Sequence, residues 1–309
     1  MSESFGKRPY FNQKEVIGRF QNFIEGKNTD TMVFWRLLNL ELWLRVFFDS
    51  PSYKTSERQA EIKSDLSPNE GKKIEIMVEG RKYQRYPIYT ALVKKGDDVE
   101  KIISDEAVQA IGQLNKGKKF FVGVSEKIVA ISQGRSYFIW DIKPGFLARL
   151  LSRYVTRTPS GIGLGSPWTM ELAISEIGLP KIILAAIGSV LTKPFGVKGI
   201  FYKIAGQEAA SIDGPTEYSV YPSNVSAKLG PKEPQKVAEQ IHKKITQHLT
   251  PHIKQKFIGV VIIDANDIGQ NVLGNSTRID NKLIERIFSD NPMGQTDEQT
   301  PLVICVTSE

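Results

Sequence analysis

KFIGVVIIDAND, Lys256 to Asp267, reads as a buried strand that delivers acids at its C-terminal end. The run from Phe257 to Ile263 is almost unbroken in apolar, β-branched residues, the pattern of a strand covered on both faces. On its N-terminal side, GPKEPQKVAEQIHKKITQHL is an amphipathic helix with Val237, Ile241, Ile245 and Leu249 facing inward and an end near Pro251. On its C-terminal side, RIDNKLIERIFSDNP reads as a second helix and PLVICV as a closing strand. Strand, helix and strand in alternation place the chain in the mixed α and β class, an α+β fold with mixed sheets.

Working further out, Ile74 to Val78 alternates like a strand, and GRKYQRYPIYTALV reads as a turn and a second strand. Asp97 to Leu114 carries Val99, Ile102, Ile103, Val108, Ile111 and Leu114 at helical spacing. KKFFVGVSEKIVAI reads as a buried strand running into a short helix or a further strand, and Trp140 to Val155 as helical after Pro144. In GIGLGSPWTMELAISEIG, Ser166 is a candidate N-cap and Pro167 the first helical residue. The most apolar segment, LPKIILAAIGSVLTKPFGVKGIFYKIAG, is cut by Lys181, Lys193 and prolines below spanning length, so a core helix is expected, with a lysine-rimmed membrane contact as the other use. Near the N-terminus a helix over about Thr29 to Phe48 is apolar around most of its circumference. The polar stretch from Ser50 to Lys73 separates it from the rest, so a helical appendage with its linker (1–70) precedes the main domain (71–309).

Composition narrows the classes. The 309 residues are 40% apolar and 24% charged, which excludes wholesale disorder. Cys305 is the sole cysteine and there are three histidines, which excludes a disulfide scaffold and makes a zinc cluster improbable. The first residues, MSESFGKRPYFNQKE, hold no apolar core of a signal peptide, and a cytoplasmic protein is expected. The net charge of +7 suits an anionic ligand. The basic residues are dispersed and no recognition motif is present, so nucleic acid is not expected as a partner.

Five places could carry chemistry. Gly112 to Lys118 has P-loop spacing, but Lys119 stands where the motif needs Ser or Thr, and the segment precedes a strand instead of following one. The glycines of GIGLGS lead into a helix start, either as a tight entry or as an anion site. Asp264 and Asp267 leave a strand end, where carboxylates hold a hard divalent cation or simply form an Asx turn. SIDGPTEYS puts Asp213 beside Thr216 and Glu217 in a turn-rich loop. NPMGQTDEQTP puts Gln295, Asp297 and Glu298 in a glycine-containing loop. The last three are oxygen-rich loops that could converge on one metal–phosphate site.

From about Tyr86 to the C-terminus the chain resembles the coenzyme F-420 gamma-glutamyl ligase family. TALVKKGDDVEKII, VGVSEKIVAISQGR, SIDGPTEY with VVIIDAND, and MGQTDEQTP match its segments in order. Separately, FWRLLNLELWLRVFF, within residues 30–49, resembles the final helix of asparagine synthetase-type domains. The ligase resemblance implies a homodimer that uses GTP (ATP as the other choice) with Mg or Mn. It implies activation of a carboxylate of a deazaflavin- or folate-class acceptor as an acyl phosphate, followed by addition of L-glutamate. Residue by residue, it implies metal contacts at Asp213, Asp264 and Gln295, with Asp267 as an alternative to Asp264. It implies nucleotide contacts at Thr90, Ala91, Leu92, Val93, Glu126, Lys127, Thr216 and Ala265. Met293, Gly294, Gln295, Thr296, Asp297, Glu298, Gln299 and Thr300 form its nucleotide loop. Three positions depart from the family: Ile131 stands where it has a lysine, Ala265 where it has threonine, and Thr216 where it has asparagine. The other classes are a binder of metal and nucleotide without turnover, and a scaffold or peripheral membrane protein using its apolar helices.

Overall fold

The computed structural model describes residues 12–27, 31–44, 66–114, 117–155, 163–192, 194, 196–197, 199–215, 225–266, 269–294 and 298–307. The chain divides into two units, Met1–Glu61 and Ile62–Glu309. In the first, α1 (Gln13–Ile24) starts at Asn12, whose side chain accepts from the Glu15 N–H, and α2 (Thr31–Leu44) follows. Phe34 of α2 lies against Phe20 and Phe23 of α1, with ring centroids 5.4 and 5.2 Å apart. The sequence reading missed α1. The ends of the helix expected over Thr29 to Phe48, residues 29–30 and 45–48, lie outside the described residues.

The second unit begins with β1 (Glu75–Val78), β2 (Arg81–Ile88), α3 (Val99–Leu114), β3 (Phe120–Ser125), α4 (Glu126–Ser132) and β4 (Ser136–Phe138). It continues with α5 (Phe146–Leu151), α6 (Pro167–Ile177), α7 (Leu179–Thr192), α8 (Ile200–Ala205), α9 (Gln207–Ala210) and β5 (Ser226–Lys228). It closes with α10 (Pro234–His248), α11 (Pro251–Lys254), β6 (Phe257–Ala265), β7 (Gln270–Asn275), α12 (Asn281–Ile287) and β8 (Leu302–Thr307).

Six strands form one sheet in the order β1-β2-β8-β3-β6-β7. β3 and β6 are parallel, and every other pair in it is antiparallel. Successive side chains of a strand point to opposite faces. On one face Val122, Val124, Val260, Ile262 and Ile304 pack with Ile103, Ala107 and Ile111 of α3 and with Val237, Ile241 and Ile245 of α10. On the other, Phe121, Val261, Ile263, Val303 and Cys305 pack with Ile284, Ile287 and Phe288. Both faces are covered, which is why β3, β6 and β8 read as continuous apolar runs.

A separate core joins α5 to α9 with the β4–β5 ribbon, through Leu164, Met170, Ala173, Ile182, Ala205, Ile212 and Ala227. Here Ser166 caps α6, its hydroxyl accepting from the Thr169 N–H at 3.1 Å, and Pro167 opens the helix. The expectation of a core helix after it is corrected. In α7 only Ile182 and Ala185 are buried, while Ile183, Leu184, Ile187, Val190 and Leu191 are exposed. Apolar composition shows that a helix needs cover but not how many of its faces receive it. Among the described residues no single helix is long and apolar enough to cross a membrane; α6 and α7 together are, with a bend of 117° between them.

Candidate active site

Parallel pairing of β3 with β6 sets the geometry. Ser125 lies opposite Ile263, so the next residues of the two strands, Glu126 and Asp264, leave the sheet at the same edge. The antiparallel neighbour β8 enters there, with the Ser125 N–H donating to the Pro301 carbonyl at 2.8 Å. Carboxyl ends of parallel strands, where the chain departs into a helix or turn, are where an open sheet offers a binding crevice.

Asp213 reaches this edge from the helical half. Its main chain bridges that of Lys228, each N–H donating to the other's carbonyl at 2.9 Å. Lys228 in turn pairs with Ser136, just after α4. The Lys127 ammonium then donates to Glu126 Oε1 at 2.7 Å and to Asp213 Oδ2. Glu126 is buried, and its second oxygen, Oε2, has no hydrogen-bond partner among the described residues. Lys228 is also buried, its ammonium donating to the Ser226 hydroxyl at 2.8 Å.

Each charge is shaped by the others. Burial raises the Glu126 carboxyl to about 7; Lys127 opposes this, while Asp264 and Asp213 add to it. Burial would lower the Lys127 ammonium, but the charges of Glu126, Asp213 and Asp264 outweigh it and hold the group above its ordinary value. Burial and the neighbouring Lys127 bring Lys228 down to about 8 against the pull of Asp213. Burial, with the charge of Asp213, also raises Asp264.

The other expected site residues fall as follows. Thr90 is buried, its N–H donating to the Gln299 carbonyl at 3.0 Å and its hydroxyl to the Ala91 carbonyl at 3.1 Å. Ala91 and Leu92 are exposed, and Val93 belongs to the core. Met293 packs into the sheet core. Gly294 has φ +80°, and a Cβ there would collide with the Glu298 carboxylate. Thr300 is buried and donates to the Met293 carbonyl at 2.7 Å, closing the loop on itself. Ala265 ends β6 half-buried. Asp267, Thr216, Gln295, Thr296 and Asp297 lie outside the described residues. The Asx turn weighed for this strand end is made by Asn266, whose Oδ1 accepts from the Gly269 N–H at 2.9 Å.

Two residues escaped the sequence reading. Lys228 carries no local signal of burial. Asn69, in the stretch read as linker, donates to the Pro292 carbonyl at 2.9 Å and to the Thr300 hydroxyl at 2.7 Å, tying both ends of the loop together.

Among the described residues no three acidic or histidine side chains stand close enough to form a ready metal seat. The donor chemistry nevertheless suits a hard cation. Carboxylates converge on a positive charge that is supplied by Lys127, and one buried carboxylate oxygen is left unsatisfied by the described residues.

A carboxylate–lysine cluster, buried at Glu126 and Lys127, thus stands at the carboxyl edge of a mixed sheet, an arrangement that recurs at functional sites. The family model for F420-0:gamma-glutamyl ligase matches residues 87–272, more than half of the chain. The chain belongs to the F420-0 gamma-glutamyl ligase family, a family of ligases. The match includes Glu126, Lys127, Asp213 and Asp264 and ends before the Met293–Thr300 loop. No curated protein matches the chain.

Proposed function

We propose that the chain is a nucleotide- and divalent-metal-dependent gamma-glutamyl ligase. It joins L-glutamate to a carboxylate of a deazaflavin- or folate-class acceptor, with GTP as the favoured nucleotide and ATP as the alternative. The observation that carries this reading is that Asp213 meets Lys127 and Glu126 at the sheet edge where Asp264 leaves the neighbouring parallel strand. A carboxylate does not condense with an amine at neutral pH without activation. In the proposed reaction an acceptor carboxylate oxygen attacks the γ-phosphorus, the bond to the bridging β–γ oxygen breaks, and the nucleoside diphosphate leaves. The glutamate nitrogen then attacks the acyl carbon, inorganic phosphate departs, and the nitrogen loses a proton.

Mg or Mn would be held by Asp213, Asp264 and Gln295, and when bound would neutralise charge on the phosphates. The chain's own groups position the rest. Lys127 lies one helical turn before Ile131 in α4, on the same face, so it offers a cation for phosphate where the family's lysine is missing. In this reading the buried Glu126, raised to about 7, would take the proton released by the amine. Calorimetric titration with GTP and with ATP, each with and without Mn or Mg, tests the reading, followed by an acceptor screen with labelled glutamate. Absence of metal-dependent nucleotide binding would overturn it. The homodimer belongs to the same reading, with the exposed face of α7 as the surface a second copy would bury; light-scattering mass measurement with Leu184→Glu tests that.

A further inference from the structure

We propose that Lys127 is an internal cation guarding the metal seat: it neutralises Glu126 and Asp213 in the nucleotide-free protein, and a divalent ion enters once triphosphate has drawn the ammonium away. This rests on the metal assignment above.

The geometry argues it in three steps. First, the ammonium donates to both Glu126 Oε1, at 2.7 Å, and Asp213 Oδ2, the position a shared cation would take between two carboxylates. Its side chain is only 19% exposed and that of Glu126 1%, so water screens that half of the contact little, while the Asp213 half stays open to solvent at 48%. Second, the seat is underfilled. One ammonium faces Glu126 and Asp213 directly and the charge of Asp264 beyond them, while Glu126 Oε2 stays buried without a partner among the described residues. A divalent ion that takes Asp213 and further oxygens from the phosphates is better matched to this edge than a single positive charge with three protons. Third, lysine is a compact charge on a flexible four-carbon stem, and it moves from carboxylate to phosphate by rotating that stem. Its position on α4 keeps it at the sheet edge in either place.

Two cations of like sign do not share this seat. Metal and nucleotide are therefore coupled through Lys127: nucleotide removes the competitor of the metal, and by reciprocity metal frees the lysine for nucleotide. The guard makes the unloaded protein poor at taking up metal alone.

The test is titration of the full chain with Mn²⁺ alone, followed by the electron paramagnetic resonance signal of free Mn²⁺. Wild type should bind Mn²⁺ weakly. Lys127→Met should bind it at least about tenfold more tightly, within the usual range of coupling between two sites. Adding Asp213→Asn to that variant should abolish the gain and so place it at this cluster. Lys127→Arg, which keeps the charge, should resemble wild type. Tight binding of Mn²⁺ alone by wild type would overturn the proposal without any variant. So would Lys127→Met binding no better than wild type; Lys127→Gln serves if the methionine variant does not fold. Asp213→Asn alone separates the two ideas. If it weakens metal-dependent GTP binding while Lys127→Met gains nothing, only the guard is lost. If it leaves that binding unchanged, the metal site itself is wrong.

Discussion

Asp213 and Lys228 exchange both main-chain hydrogen bonds across an isolated antiparallel bridge, each at 2.9 Å. The bridge is where the helical core and the six-stranded sheet are brought to a common edge. Asp213 follows α9 in the chain, and without the bridge nothing in its local sequence would bring it to Lys127, 86 residues earlier. The Leu229 N–H extends the contact by donating to the Arg135 carbonyl at 2.9 Å, and Arg135 Nε donates to the Gly230 carbonyl at 2.5 Å. The side chain of Asp213 thus sits on a pinned backbone while remaining 48% exposed.

That combination separates binding from folding. Asp213→Asn keeps shape and volume on an accessible side chain, so its melting temperature should stay within a few degrees of wild type. Metal-dependent GTP binding should weaken by at least about tenfold, the loss that even outer partners of metal ligands cause when removed. Asp264→Asn should weaken the same binding. Calorimetry with and without Mn²⁺ measures both; unchanged binding in the two variants would sink the assignment.

Asn69 gives a second prediction, for a residue before the family match. Its amide lies between the Pro292 carbonyl and the Thr300 hydroxyl, and it is buried. Asn69→Ala leaves buried acceptors unpaired, at a cost of about 1–3 kcal/mol in denaturant unfolding. It also releases the two ends of the loop that carries Met293 to Thr300. If that loop holds nucleotide, the affinity for GTP should fall at temperatures where the variant is still fully folded. An intact affinity would make Asn69 a fold residue only.

How much was legible follows from the range of each interaction. β3, β6 and β8 declare themselves because covered strands are apolar on both faces, and α10 because one face alone is. β7, QNVLGN, is polar and half-exposed at the sheet edge, and nothing in its pattern separates it from a loop. Asp264 could be read as an acid at a strand end. The bonds of Asn69 span 223 and 231 residues, and the burial of Lys228 depends on its pairing with Ser136 and Asp213. Neither is a property of the residues beside it. The exposed face of α7 fails for the opposite reason, since its composition is that of a buried helix.

The third prediction concerns pH. The Ser276 hydroxyl donates to the Val260 carbonyl at 3.0 Å, so its one proton is used, and the contact with His242 Nδ1 at 3.1 Å requires the imidazole to donate. His242 also sets its ring edge-on to Phe257, with centroids 4.9 Å apart. Burial lowers its pKa, only partly offset by Ser276. The unfolded chain therefore takes up a proton near the ordinary value of 6.5 while the folded chain does not. Stability is full above that value and declines as pH falls through it. His242→Phe keeps the ring packing and removes the titration. Its urea midpoint relative to wild type should shift upward between pH 7.5 and 5.5, and a difference independent of pH would rule the linkage out.

The last prediction tests the ion pair that closes the far side of the sheet. The Arg85 side chain is fully buried on β2, and its guanidinium grips Asp290 with both terminal nitrogens. It also donates to the Ile287 carbonyl at 2.9 Å and the Lys73 carbonyl at 2.6 Å. Burial would raise the Asp290 carboxyl, but Arg85 outweighs it and lowers the group below its ordinary 3.8. The pair therefore stabilises the fold above that value, and its contribution is lost as pH falls through the lower folded value. Arg85→Met should cost about 1–3 kcal/mol, because two carbonyls lose their donor and the partly exposed Asp290 loses its partner. Adding Asp290→Asn to Arg85→Met should restore part of the loss by removing the unpaired charge, while the carbonyls stay unsatisfied. Urea unfolding of the two single variants and the double variant gives the coupling directly. A double variant no more stable than Arg85→Met would show that the two backbone carbonyls, and not the carboxylate, are what the buried guanidinium serves.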